Sequence, residues 1–224
     1  FWFYRRRGEG AQRALMPASG VADDQDAAEA GSCALYLAGP IVAKRNNEVA
    51  RTETFKNYEL SFKMKLAREW RPGGGWKSII HIGDTDQQRL PGLWFHKSSN
   101  ALHVKQTPEG AWGWGVNSTT GVTFTAGETY DIKMVVQNNQ MTVYVDGVSV
   151  GTASGPAVDT VTDAAVYVGD PWWDWDTAKV TLSDVTLSDA ALAGACDAKK
   201  SSDGGGLWVT ADVGTYDEMQ AACE

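Results

Sequence analysis

The sequence predicts an all-β fold, a sandwich of two antiparallel sheets. Three observations lead there. Segments such as Tyr58–Leu66 alternate apolar and polar residues, the pattern of a strand with one buried and one wet face. Turn-forming pairs such as Asn138-Asn139 and Asp146-Gly147 recur between these segments, in a chain with 24 glycines and 7 prolines. The middle of the chain also lacks long stretches with apolar residues at three- and four-residue spacing. At 224 residues and 43% hydrophobic, the chain has material for one sizeable domain with appendages.

Residues 1–34 read as an N-terminal linker, rich in Ala, Gly, Asp and Glu between 8 and 32, with folded character starting near Leu35. The strand Tyr58–Leu66 is followed by a loop from Arg68 to Trp76 that carries three consecutive glycines. Three short strands follow at 78–83, 92–97 and 101–106, with Ser98-Ser99-Asn100 as a hairpin connection between the last two. Tyr130, Ile132, Met134 and Val136 alternate again, then Met141, Val143 and Val145 lead to the hairpin turn at Asp146-Gly147 and a return through Val148–Val150. Ala165–Val168 is a further strand. In the last one Val180 and Leu182 are in one phase and Val185 and Leu187 in the other, so a bulge near Ser183-Asp184 is needed to turn all four inward. Residues 191–224 form a C-terminal extension with a Lys/Ser/Gly linker. Its last part, 215–223, reads as a short helix with Thr215 as N-cap and Glu218 completing the capping box.

Net charge is −8, which argues against a nucleic-acid partner, since phosphate binding needs a basic surface. No apolar run is long enough for a transmembrane helix. The opening FWFYRRR is compatible with the end of a membrane segment preceding Phe1, with a cleaved presequence, or with a cloning boundary. Cys196 and Cys223 bracket a Gly-rich tail and are expected to pair, which leaves Cys33 either free or paired with one of them instead. Asn117-Ser118-Thr119 is a glycosylation sequon. These features suit a secreted, lumenal or membrane-anchored extracytoplasmic setting, whereas a basic flank at Arg5–Arg7 after a membrane segment favours the opposite orientation.

All three histidines fall between residues 78 and 106. If Ile80, Ile82, Leu93, Phe95, Leu102 and Val104 point inward, then His81, Trp94, His96 and His103 share one outer sheet face. Three readings of that face stand side by side. It is a wet surface that happens to carry imidazoles, a ligand-binding face with Trp94 as apolar platform and imidazoles as hydrogen-bonding groups, or a transition-metal site, for which no tight ligand spacing is present. Asp84 and Asp86, alternate carboxylates in a loop, suit either Ca2+ or a solvated turn. The loop Gly169–Asp176 holds Trp172, Trp173, Trp175 and three aspartates. It reads either as an aromatic, acidic binding loop or as a cover over an open core edge. Trp112 and Trp114 form a second Trp/Gly loop assigned to the same rim.

IIHIGDTDQQRLPGLWFHKSSNALHVKQ, MTVYVDGVSVGT and VYVGDPWWDWDTAKVTLSDVTL, in that order, resemble the laminin G-like, concanavalin A-like lectin/glucanase superfamily. The resemblance covers about residues 35–190. It implies a jelly-roll sandwich whose members bind sugars, proteins or lipids, often through loops on one rim and sometimes with calcium. Some related members are glycoside hydrolases, with catalytic carboxylates on a strand of the type Glu-x-Asp-x-Glu; this chain has no such motif. The expectation is therefore a non-catalytic lectin-like module that binds carbohydrate through a loop rim and an outer sheet face. The alternative is an accessory subunit that docks onto a protein assembly through its jelly roll and terminal extensions.

Overall fold

The structure is a computed structural model, and it describes residues 33–68, 75–108, 113–172 and 177–190 together with the backbone of 208–209. The chain divides into two units, Phe1–Ala30 and Gly31–Glu224, and the described residues all belong to the second. The N-terminal linker, Trp112, Trp173, the 174–176 stretch, Cys196, Cys223 and the helix expected at 215–223 lie outside them.

Thirteen strands are present: β1 (Cys33–Leu37), β2 (Ile41–Val42), β3 (Glu48–Thr52), β4 (Tyr58–Leu66), β5 (Lys77–Ile82), β6 (Gly92–Phe95), β7 (Leu102–Lys105), β8 (Thr129–Gln137), β9 (Gln140–Val145), β10 (Val148–Ser154), β11 (Ala164–Val168), β12 (Val180–Asp189) and β13 (Trp208–Val209). One sheet runs β10-β9-β8-β4-β12-β1-β13, with β2 also paired to β12; the other runs β3-β11-β5-β6-β7. Every pairing between these strands is antiparallel. The described residues contain no α-helix. The two-sheet sandwich expected from alternation is thus the fold, and its core is made by the inward residues of both sheets, Leu60, Met64, Ile80, Leu93, Val104, Met134, Val143, Val166 and Leu182 among them.

Local chemistry fixes the turns. Asn138 and Asn139 both have positive φ, 50° and 62°, and so do Asp146 at 50° and Gly147 at 78°. This is the backbone of the two-residue hairpin turn whose twist matches the flanking strands, and Asn, Asp and Gly are the residues that tolerate it. The β12 bulge is where the phase slip requires it. Pairing with β4 shifts between Ser183 and Thr186, and Asp184 takes φ 52°. Val180, Leu182, Val185 and Leu187 are all buried as a result.

Four strands among the described residues are missing from the sequence reading: β1, β2, β3 and β13. β1 is a run, CALYL, buried on both sides and without alternation, and β2 is too short to carry a pattern. The described strands begin at Cys33, and β13, from the segment assigned to the C-terminal extension, adds a strand to β1 through Leu35 and Tyr36. The disulfide expectation changes. Cys33 is disulfide-bonded, and the chain has two other cysteines. Its partner is therefore Cys196 or Cys223, which cannot then pair with each other.

Candidate functional site

The outer face of the five-stranded sheet carries one row of rings. Register builds it: Tyr167 of β11 is opposite His81 of β5, His81 is opposite Gly92 of β6, and Trp94 is opposite His103 of β7. Four neighbouring strands thus each contribute one aromatic or imidazole side chain, over about 14 Å at the usual strand spacing. Ring centroids are 6.5 Å apart for Tyr167–His81, 6.3 Å for His81–Trp94 and 6.0 Å for Trp94–His103. Trp76, just before β5, extends the row, at 4.3 Å from His103 and 4.9 Å from His96. The expected grouping of His81, Trp94, His96 and His103 on one face is what the register produces.

Two backbone features shape the row. Gly92 leaves room for the Trp94 indole to lie along the strand, since a Cβ there would overlap its six-membered ring. A bulge in β5 between Ser78 and Ile80 lets Ile79 and Ile80 both enter the core while His81 stays on the outer face.

His81 departs from the expectation of a wet face, because it is fully buried. The cover is Trp172, edge-on at 5.1 Å. Its loop is pinned to β5. Gly169 N–H donates to the Ile79 carbonyl at 2.9 Å, and Ser78 Oγ donates to the Gly169 carbonyl at 2.9 Å. Gly169 has φ 111°, and a side chain there would meet the Lys44 carbonyl. The buried Asp170 then turns the chain, its Oδ1 accepting from Trp172 N–H at 2.8 Å while its own N–H donates to Thr177 Oγ1 at 3.1 Å. Trp172 therefore serves as cover at one end and as part of the row at the same time.

Both inner imidazoles are neutral near pH 7. Burial holds His81 down at about 4, with the positive charge of Arg89 acting the same way. Burial also holds His103 at about 4, reinforced by Lys105, His96 and Arg89. His81 Nε2 meets the Thr85 carbonyl at 3.1 Å and His103 Nδ1 meets that of Asn117 at 2.8 Å. Carbonyls only accept, so these nitrogens carry the protons, and each ring's other nitrogen is an acceptor. In His81 that acceptor, Nδ1, is buried without a partner.

Cations border the row. The Arg89 guanidinium lies 5.5 Å from the Trp94 ring centre and Lys97 Nζ lies 5.9 Å from that of Trp76. Lys105, opposite Gly92, donates to Asn117 Oδ1 at 2.7 Å. Asn117, the sequon residue, is thus an exposed edge of the same face, and Thr119 is buried with its hydroxyl accepting from Leu102 N–H. Trp76, Arg89, Lys97, Lys105 and Tyr167 were not among the residues singled out by sequence. Trp76 was within reach, since it shares the parity of Ser78 at the mouth of β5. Arg89 sits in an irregular loop where no periodicity applies.

Other expected residues belong elsewhere. Trp114 bridges to Gln106, lies on Gly155 and donates from Nε1 to the Pro156 carbonyl at 2.8 Å, so it closes a sandwich edge and is no part of the row. Asp84 accepts from Arg51 Nη2 at 2.9 Å and Asp86 faces Arg89 Nη2 at 3.6 Å. Arg51 also meets Glu48 and Asp163, at 3.2 and 2.8 Å. One oxygen of Asp84 thus accepts from a guanidinium, and the described residues contain no group of three or more His, Cys, Asp or Glu placed to hold a metal.

No curated protein matches the sequence significantly. Among solved structures, the binding domain of Paraclostridial Mosquitocidal Protein 1 aligns with TM-score 0.50 at 10% identity, over 72% of this chain and 43% of that one. An HCR/D mutant aligns with TM-score 0.51 at 10% identity, over 69% and 41%. Domain 4 of AbnA, an extracellular arabinanase from Geobacillus stearothermophilus in complex with arabinotriose, gives TM-score 0.45 at 14% identity, over 71% and 82%. The chain spans less than half the length of the first two, and at these identities the likeness is one of fold. A profile of the concanavalin A-like lectin/glucanases superfamily matches residues 69–195, more than half of the chain and all of the ring-bearing strands. With its two antiparallel sheets and that match, the chain belongs to the concanavalin A-like lectin/glucanase superfamily.

Proposed function

We propose that this chain is a non-catalytic carbohydrate-binding module that holds sugar against the outer face of its five-stranded sheet. The observation that carries the reading is the row Trp172–His81–Trp94–His103–Trp76. Partly exposed indoles offer flat apolar surface for the C–H face of a sugar ring, and the neutral, partly exposed imidazole of His103 between them offers an acceptor to its hydroxyls, while buried His81 supports the row from beneath. Superfamily membership supports the reading, and so does the state of the nearby carboxylates. Asp86 faces Arg89, and Glu48 is engaged by Arg51 and Tyr167, so neither is available as the paired acid and base of a hydrolase. The accessory-subunit alternative rests on terminal extensions that dock onto neighbours; residues 208–209 instead pair with the chain's own β1.

The test is titration of the whole chain against a broad glycan panel, with and without chelator. Binding is expected, unchanged by chelator, and Trp94→Ala is expected to weaken it by roughly thirtyfold or more, the loss typical of removing an aromatic anchor. Binding that survives Trp94→Ala at full strength would place the ligand elsewhere.

A further inference from the structure

We infer that the sugar held on this face is an acidic one, bearing a carboxylate or a sulfate, and that Arg89 and Lys105 receive its anionic group beside the Trp94 ring. This rests on the carbohydrate reading above and narrows it.

The argument starts from charge. The protein carries −8 overall, yet cations border the ring row. The fold shows elsewhere how it treats a cation that only needs neutralising. Arg51 is clasped by Glu48, Asp84 and Asp163, and Lys63 lies 2.6 Å from Asp131. Around the row this is not done. Lys105 has a neutral amide as its partner, and Lys97 has an indole face. Arg89 has one loose carboxylate, Asp86 at 3.6 Å, on its Nη2, while its Nε is buried with no hydrogen-bond partner. A guanidinium donates through a planar fork, and a carboxylate at 3.6 Å does not saturate it.

Arg89 and Lys105 are also close enough to act on each other. Lys105 is pushed below its ordinary pKa by burial and then by the charge of Arg89. Holding two like charges together on a partly desolvated face is unfavourable until an anion lies between them. A carboxylate or sulfate is the planar or tripodal acceptor that suits them, and a sugar ring carrying it would rest on Trp94, which Arg89 overlies and whose ring covers Gly92, the residue opposite Lys105. The neutral acceptor of the partly exposed His103 complements a hydroxyl and leaves the anion to the cations.

Calorimetric titration of the full chain near neutral pH tests this with matched pairs. One pair is a galacturonate hexamer and its carboxyl-reduced, neutral form; the other is a sulfated chondroitin hexasaccharide and its desulfated form. At least one acidic member is expected to bind about tenfold or more tighter than its neutral counterpart, the scale of a charge-assisted contact. The advantage should shrink as salt rises to roughly 0.5 M. Arg89→Gln and Lys105→Gln should each erase most of it while binding of the neutral forms persists. Lys63→Gln, on the opposite sheet, should leave it intact. Which pair shows the preference distinguishes carboxylate from sulfate. Equal binding of acidic and neutral members overturns the inference and leaves the carbohydrate reading standing. A blank result across these probes and the neutral panel removes both.

Discussion

Acid should destabilise this domain through His81. The imidazole is fully buried under Trp172, with a folded-state pKa of about 4 against an ordinary 6.5. The sign follows from the direction of the shift. The folded state disfavours the protonated ring, so the unfolded chain takes up the proton first. Stability is complete above pH 6.5 and falls as pH drops toward 4. One pKa unit is worth about 1.4 kcal/mol, so between about pH 7.5 and pH 5 this ring alone removes about 2 kcal/mol of stability. His103 adds a smaller loss of the same sign, smaller because its ring is partly exposed and screened. Urea unfolding of the whole chain at a series of pH values measures the slope. His81→Leu, close in volume and unable to titrate, should flatten the curve by about 2 kcal/mol over that window while the His103 share remains. The reasoning fails if the wild-type protein is equally stable at both ends of the window, or if His81→Leu keeps the full slope.

Two further substitutions probe the parts that build the site and the core beneath it. Gly92→Ala places a methyl group where the Trp94 ring lies; it should cost about tenfold or more in sugar binding through displacement of that ring, with the unfolding midpoint moved far less, and unaltered affinity would show that ring placement is irrelevant. Tyr58→Phe removes the 2.6 Å bond from the Tyr58 hydroxyl to Gln106 Oε1 inside the sandwich. Gln106 Nε2 is already without a partner, so the amide would be left buried and unbonded at a cost of about 1–3 kcal/mol in urea unfolding, and a change near zero would mean water reaches it.

Alternation made much of this fold legible. A period-two pattern has one consequence, an inner and an outer face, and it placed His81, Trp94, His96 and His103 on the same side of three consecutive strands before any distance was known. The β12 bulge was legible for the same reason, since a phase slip between two apolar pairs has few other remedies. Where alternation is silent the sequence was silent too. The run of β1 and the two residues of β2 carry no period. Trp112 and Trp114 were grouped with the rim on composition alone; Trp114 instead caps the edge near Gly155 and Pro156, because an indole beside a glycine fits equally well as a plug or as a platform. That Asp84 pairs with Arg51 was not legible either, because Arg51 comes from a strand the sequence had not revealed.

The sequence by itself determined the all-β class, the turns at Asn138-Asn139 and Asp146-Gly147, and the face shared by His81, Trp94, His96 and His103, because these depend on neighbours a few residues apart. Tertiary structure alone decided that Trp172 closes over His81, that Arg89 lies on Trp94, and that Trp76 joins the imidazoles. Those contacts join loops to strands across a register set by hydrogen bonding between distant segments. A loop side chain has no period from which its destination can be read.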